Sequence, residues 1–545
     1  VLELRVISPL EKVFPDTPPT QLQKEFCGFQ NEHLFFQLAC TCDDTLSRKK
    51  VHVVVDSPIA SDITVRAVRC VPVMLATLPG ADDNYLRKSP GLYPDLLSNN
   101  DMPLLSSIWQ SFLLEYTPNP AALPGIYPVI MHLCSEDGSI FGTAEAVLRL
   151  REGLLPPQTL LRTQWFHSDC LANYYHVPVF SEEYWRIVEN FMSVAARRGI
   201  NMILTPVFTP PLDTAIGGER LTVQLVDVER RENGYRFGFA RLRRWIKTAQ
   251  RAGITHFEVS HLFTQWGAKH APKIVDKTGT RLFGWETDAC SPEYAAFLKS
   301  FLPRLITVLR KAGVLEHTYF HISDEPKEEM LPDYAAAAAL VTPYIADRPV
   351  IDALSDLAIY QSGAVRHPIP ALNKLLPFVE AGVPDLWTYY CVGQYLDVPN
   401  HFIAMPGART RMLGILLYRY DLKGFLQWGF NFYNARLSMY PIDPYAITDA
   451  DGAFPAGDAF IVYPGAKGEP EESLRLLILH AAMQDLRALQ WLEALTSREH
   501  VLALITEVAG MPISNTDYPH DPAFFIRLRN HVDNEIENLR KEDNS

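Results

Sequence analysis

Cysteine is scarce in this chain: eight in 545 residues. No two of them form a C-x-x-C pair, which argues against a zinc site and against a disulfide framework. Most are expected to act as small buried apolar residues. No stretch approaches the roughly 18 consecutive apolar residues needed to span a membrane. The opening segment "VLELRVISPLEKVF" has neither the basic end, the apolar run nor the small-residue cleavage site of a signal peptide, so a cytoplasmic protein is expected. Positive charge is in deficit. The formal net charge is −13 and Lys and Arg form no dense run, which excludes the basic face that nucleic-acid binding requires. Also missing are a G-x-S-x-G elbow, an H-E-x-x-H pair, a Walker loop and a G-x-G-x-x-G fingerprint, and serine-hydrolase, zincin and nucleotide-dependent chemistry lose support with them. There is no internal repeat and no low-complexity segment.

What is present is an ordinary globular balance, 48% apolar and 21% charged, with 11% aromatic residues including nine Trp. The length predicts more than one domain. Residues 1–155 carry short β-branched and aromatic runs ("HLFFQLAC", "KKVHVVVDS", "DITVRAVRCVPVML", "GIYPVIMHLC", "GTAEAVLRLRE") broken by Pro, Gly and Asp, a pattern that predicts a β-sandwich. A long loop, "GADDNYLRKSPGLYPDLLSNNDMP", interrupts them. From 156 to 495 apolar strands alternate with amphipathic helices. Eight strand segments are read: "TQWFHSD", "NMILTPV", "THFEVSH", "TYFHISD", "PVIDALS", "IPALN", "LWTYYC" and "GFLQWGF". This alternation predicts an α/β fold, a (β/α)8 TIM barrel preceded by the sandwich. "SLRLLILHAAMQDLRALQWLEAL" is its closing helix, and "GDAFIVYPG" an excursion over the mouth. Residues 496–545 read as a helical extension with a frayed, charged end.

Barrel sites lie at the C-terminal strand ends. There the sequence offers Trp165, His167 and Asp169, then Asp213, then Glu258, His261, Gln265 and Trp266, then "HISDEP", Asp352, Asn373, the Trp387, Tyr389 and Tyr390 group, and Trp428 with Asn431. Trp387 and Trp428 are candidates for walls around a sugar, and Asn431 and Gln265 for hydroxyl binding. His167, Asp169 and Cys170 invite a metal reading, but strand alternation separates their side chains and no second ligand cluster accompanies them, so no metal is expected. Glu258 reads as an interior structural carboxylate.

The sharpest feature is Asp324–Glu325. Pro326 steers the residue before it away from helix toward extended geometry, keeping Glu325 out of the following helix. The competing reading is a helix N-terminus with acidic first-turn residues. In the usual retaining scheme two carboxyls flank the bond about 5–5.5 Å apart, whereas neighbours on one strand end approach from one side. Substrate assistance fits such a pair better. The sugar's 2-acetamido oxygen attacks the anomeric carbon, Asp324 orients the acetamide, and Glu325 serves as acid and then base. An ionised Asp324 is expected to raise the pKa of Glu325.

The segments "QWFHSDCL", "GINMILTPVFTPPLDT", "FEVSHLFTQWGA", "FHISDEP", "DLWTYYC" and "GFLQWGFNFYN" resemble glycoside hydrolase family 123 and the related domain of unknown function 4091 proteins, from the sandwich to about residue 495. The resemblance implies a sandwich followed by a barrel. It also implies retaining exo-β-N-acetylgalactosaminidase activity through an oxazolinium intermediate, without cofactor or metal, on a glycan ending in a β-linked 2-acetamido sugar. Asp324 and Glu325 match the family's catalytic pair, and Tyr389 or Tyr390 its acetamide-binding tyrosine. A β-hexosaminidase of other sugar preference and a non-catalytic carbohydrate-binding barrel protein are the alternatives.

Overall fold

The computed structural model describes residues 1–43, 47–99 and 101–543. The N-terminal region is built from two sheets. One has five antiparallel strands and contains Leu2–Ile7, Leu34–Cys42, Gln110–Tyr116, Ile63–Val73 and Gly91–Ser98 in that order across the sheet. The other orders Glu25–Phe29, Ile140–Arg151, Gly125–Ser135 and Val51–Asp56. Alternate residues of both sheets, among them Phe36, Leu38, Phe112 and Leu114 from the first and Val53, Val129, Met131 and Leu148 from the second, meet in one core. The long loop expected around residue 91 is in part a strand: Gly91–Ser98 pairs with Ile63–Val73 as the sheet's outer strand. Its partners lie outside the local sequence, so no turn signal announced it.

Eight parallel strands follow, each succeeded by a helix. They are β1 (Leu161–Gln164), β2 (Met202–Thr205), β3 (His256–Val259), β4 (Thr318–Phe320), β5 (Ile351–Ala353), β6 (His367–Ile369), β7 (Trp387–Tyr389) and β8 (Gly424–Gln427). The helices are α1 (Glu182–Arg197), α2 (Ala240–Ala252), α3 (Pro292–Lys311), α4 (Leu331–Ile345), α5 (Leu357–Gln361), α6 (Leu376–Glu380), α7 (Gly407–Arg419) and α8 (Leu474–Leu495). Local chemistry explains their starts: Ser181, Ser291, Asp356 and Ser473 each accept a backbone N–H at a helix N-terminus. Helix α8 is buried almost all round, and its buried Arg475 and Asp485 are ion-paired to Asp95 and Arg411.

The continuous ladder comprises six strands, β4-β3-β2-β1-β8-β7, in one curled sheet, and β5 and β6 pair only with each other. The expected eight-strand barrel therefore does not form as one unbroken sheet. Prolines 349, 368 and 370 lie on and beside β5 and β6, and each removes a ladder donor. Single parallel bridges, Phe320 with Val350 and Ala371 with Tyr389, flank this pair. The inward residues Met202, Leu204, Ile351, Ile369, Trp387 and Leu426 form the interior. Gly424 leaves room for Trp387, because a Cβ there would lie 1.9 Å from the indole.

The N-terminal sheets are fastened to this body by buried charge. Arg198, just past α1, reaches Glu115 at 2.7 Å and Glu472 at 2.5 Å, and Arg66 pairs with the same two carboxylates. The cations hold both carboxyls well below their usual range despite burial. Toward the C-terminus, Ala523–Asp543 is a docked helix rather than a frayed end: Arg529 pairs with Glu32 at 2.7 Å and with Asp485 at 3.0 Å. Residues 544–545 lie outside the described residues. Among the described residues no helix is long and apolar enough to cross a membrane. Arg198→Ala leaves two buried carboxylates without the guanidinium that bridges both and is expected to cost about 3–5 kcal/mol. Denaturant unfolding measures this, and a loss under about 1 kcal/mol would mean that apolar packing alone holds the two parts together.

Candidate active site

At the C-terminal ends of β1, β2, β3, β4, β5, β7 and β8 a cleft of about 190 Å3 opens. This is below the roughly 300–1,000 Å3 of pockets for drug-sized ligands and suits one sugar ring. Eight of the sequence-derived residues line it: Trp165, Asp213, Gln265, Trp266, Asp324, Glu325, Tyr389 and Trp428. Cys391, Arg436 and Phe454 join them.

Asp324 and Glu325 lie just beyond β4, past the link His321–Ser323. Glu325 has φ +47, so it is not extended as Pro326 predicted. Successive residues of a strand point to opposite faces, and the left-handed turn is what admits both carboxyls to one cleft. Four contacts restrain the segment. The Ile322 N–H donates to Asp352 Oδ1 at 3.2 Å, the Phe263 N–H to the Ile322 carbonyl at 3.1 Å, Ser323 Oγ to the Thr264 carbonyl at 2.7 Å, and the Trp266 N–H to the Asp324 carbonyl at 3.0 Å. The Tyr389 hydroxyl donates to Glu325 Oε1 at 2.8 Å. Tyr389 is thus the tyrosine of the 389–390 pair that faces the cleft. Tyr390 points away: its hydroxyl meets His401 Nδ1 at 3.0 Å and its ring packs on Phe425.

Other candidates prove to be supports. Trp387 opens β7 and fills the interior against Tyr319 and Gly424, below the cleft. Asn431 exchanges two hydrogen bonds with the His167 backbone, tying the segments that follow β8 and β1. The buried His167 ring contacts the Trp428 carbonyl at 2.8 Å and Arg220 at 3.0 Å, while Arg220 also pairs with Asp169. His261 is buried, stacked on His321 at 4.3 Å and edge-on to Trp165. Trp428 does form a wall, its indole N–H donating to Asp458 at 3.0 Å. Gln265 accepts the Asp213 N–H at 2.7 Å, and its buried Nε2 has no protein partner, so it is free to serve a ligand oxygen. Arg436, Leu437 and Phe454 were not anticipated, whereas Asp458 lies in the "GDAFIVYPG" segment expected over the mouth. All belong to the long excursion between β8 and α8, whose length was the signal available for the first three.

Burial, reinforced by the charge of Glu325, pushes the Asp324 carboxyl well above its usual range; the sequence reading had assigned that effect to Glu325. Burial also lifts Asp213, and Asp458 to about 7. Beneath the pair, Glu258 accepts from Thr163 Oγ1, from the Trp165 indole N–H at 3.1 Å, and from His321 Nε2 at 2.9 Å. Among the described residues only His261, His321 and Asp352 bring three metal-ligand atoms within 4.8 Å of one another. The two imidazoles lie 19° from parallel, so their lone pairs run side by side rather than converging on one ion.

A sequence model of the family described as "Glycoside hydrolase 123, catalytic domain" matches residues 165–492. Among solved structures, the chain resembles a family 123 glycoside hydrolase from Clostridium perfringens, analysed for glycolipid glycan hydrolysis. The TM-score is 0.75 over 99% of this chain and 98% of that one, at 13% identity, a likeness of fold. Fainter likenesses are to a β-glucuronidase of Parabacteroides merdae (9% identity, 85% and 51% coverage, TM-score 0.31) and an endo-β-1,4-mannanase of Thermotoga petrophila (11%, 62% and 78%, 0.33), and they carry no argument. No curated protein matches the chain.

The site makes one expectation about stability. A carboxyl whose folded pKa is raised binds more protons in the folded than in the unfolded state, so it lowers stability as pH rises above 3.8. Asp324→Asn removes that penalty. Its Tm should exceed that of the wild type at pH 8, with the gain shrinking toward pH 4, and calorimetry across pH checks this. A gain that grows toward acid would mean that Asp324 is stabilised in its ionised form.

Proposed function

The chain belongs to glycoside hydrolase family 123, and from that premise we propose that it is a retaining exo-β-N-acetylgalactosaminidase that works by substrate assistance. The observation that carries this reading is the adjacency of Asp324 and Glu325 in one cleft sized for a single sugar, with the Tyr389 hydroxyl on Glu325. Two carboxyls approaching from one side leave the opposite face of the anomeric carbon to a nucleophile of the sugar itself. We also read the eight strand–helix pairs as a (β/α)8 barrel. The two bridges beside β5 and β6 support that reading, as does the position of the cleft at the C-terminal strand ends.

In the proposed reaction the acetamide oxygen of the bound sugar forms a bond to the anomeric carbon as the bond to the aglycone oxygen breaks. Glu325 gives its proton to that oxygen. Asp324 accepts the acetamide N–H and balances the positive charge of the oxazolinium. The ionised Glu325 then takes a proton from water, whose oxygen attacks the anomeric carbon and reopens the ring. The acetamide is restored, Glu325 is again protonated, and the released sugar is β. Burial raises the Asp324 carboxyl, and an acetamide N–H accepted there favours its ionised form. In this scheme Tyr389, released from Glu325, donates to the acetamide carbonyl. Trp428 and Trp266 supply apolar faces for the sugar and its aglycone, and Gln265 Nε2 a donor to a hydroxyl.

Aryl 2-acetamido-β-galactosides are expected to be cleaved with the β-anomer appearing first by proton NMR, and the matching 2-hydroxyl galactosides to be inert. Faster cleavage of the 2-acetamido-glucoside would make the protein a β-hexosaminidase of different preference. No cleavage of either would favour a binding protein, and an α-anomer appearing first would exclude substrate assistance.

Glu325→Gln should lower kcat on glycosides with poor leaving groups by about 10²-fold or more, and much less on nitrophenyl glycosides, which need little protonation. Because Asp324 must ionise to accept the acetamide N–H, kcat/KM of the wild type should fall as pH drops through a value above 3.8. An equal loss on both leaving groups would remove Glu325 from the acid role.

A further inference from the structure

His321 lies three residues before Asp324 on the same strand end, fully enclosed, with a carboxylate beside each ring nitrogen. Nε2 is 2.9 Å from Glu258 Oε2 and Nδ1 is 3.4 Å from Asp352 Oδ1. Glu258 already accepts from Thr163 and Trp165. Asp352 accepts the Ile322 N–H and the Tyr334 hydroxyl. Nε2 is hydrogen-bonded to Glu258, while Nδ1 faces Asp352 at ion-pair distance without a hydrogen bond; two carboxyl groups facing one enclosed ring favour its imidazolium form. The third group packed on the ring, His261, is stacked at 4.3 Å and has no partner on either nitrogen. It offers a neutral face and no competing charge.

The elements around this ring connect it to the cleft. Glu258, on β3, holds the indole of Trp165, which forms part of the cleft floor. Asp352, on β5, takes the backbone N–H of Ile322, two residues before Asp324, and is itself held by Tyr334 of α4. We propose that His321 is a positioning residue of the hydrolytic site, a permanent imidazolium ion-paired to Glu258 and Asp352 that locks the strand end bearing Asp324 and Glu325 and supplies the positive charge against which Asp324 ionises. The inference rests on the proposed roles of Asp324 and Glu325 and deepens them by naming what sets their charge. The other charged or titratable groups near Asp324 are Glu325, Asp352, Tyr389 from β7 and Cys391 beyond it, and in the wider cleft Asp213, Asp458 and Arg436. His321 is the only buried cation facing the pair among the described residues. Burial pulls the His321 pKa down, but the attraction of Asp352 and Glu258 outweighs it and pushes it up to about 9.

Two measurements test this. On the free wild-type protein, nitrogen-15 NMR of the imidazoles at pH 7.5 should show one buried histidine with both ring nitrogens protonated, absent from His321→Gln. A neutral ring would overturn the proposal, and this arm needs no substrate. On an aryl 2-acetamido-β-galactoside, His321→Gln keeps a side-chain N–H but loses the charge. It should lower kcat by about 10-fold or more while KM changes less than about 3-fold, and the acid limb of kcat/KM should move to higher pH because Asp324 then holds its proton more tightly. A lowered rate with an unmoved limb would reduce His321 to a packing residue and overturn its charge role. A wild type inert on every such glycoside while the NMR shows the imidazolium would sink the hydrolytic reading and the positioning role with it, yet leave the charge assignment standing.

Discussion

Two neighbouring carboxyls must enter one cleft from one strand end, and the rest of the site is arranged around that constraint. Strand geometry sends adjacent side chains to opposite faces. The conflict is resolved by the backbone of Glu325, turned to φ +47 ahead of Pro326. A non-glycine residue held there costs on the order of 1–3 kcal/mol and persists only when its surroundings over-determine it. Here they do: Phe263, Thr264 and Trp266 from the stretch after β3 and Asp352 from β5 bond the segment on two flanks. Trp266, Asp213, Leu437 and Ser438, all on the cleft or its rim, also have positive φ. The two rim segments are laced together through Asp213, which accepts the Leu437 N–H at 2.8 Å and, through its carbonyl, the Ser438 hydroxyl at 2.7 Å.

The electrostatics follow from the same constraint. Two carboxyls this close and this buried cannot both carry charge at low cost. Glu258, His321 and Asp352 lie below them as a bonded set inside the sheet. The apolar residues around that set exclude water, which makes each pairing stronger and each unpaired group more costly. Farther out, Arg66, Arg198, Glu115 and Glu472 join the N-terminal sheets to the catalytic body by the same means. Buried ion pairs of this kind specify position more than they add stability.

Much of this was legible in the string. Seven of the eight strand segments were placed where strands occur, because apolar runs followed by amphipathic helices are local patterns; "IPALN" meets β6 only at Ile369. The Asp-Glu pair was legible because adjacency in sequence is adjacency in space. Trp387 and Tyr390 were placed in the cleft and are not there. Trp387 begins its strand and so sits low in the interior, and Tyr390, one residue past the inward-facing Tyr389, points out toward His401. Neither height nor facing can be read without knowing where the strand starts.

The sequence by itself determined the alternation of strands and helices, the location of the Asp324–Glu325 pair after the fourth strand, and the shortness of that pair's reach, since all three depend on residues within a few positions of one another. Only the tertiary structure decided that His261, His167 and Asn431 are supports, that Arg436, Leu437 and Phe454 from the loop after β8 line the cleft, and that burial lifts Asp324. Those outcomes depend on which distant segments pack together. Burial, desolvation and the closing of a long irregular loop arise from contacts between residues up to hundreds of positions apart, and no local pattern encodes them.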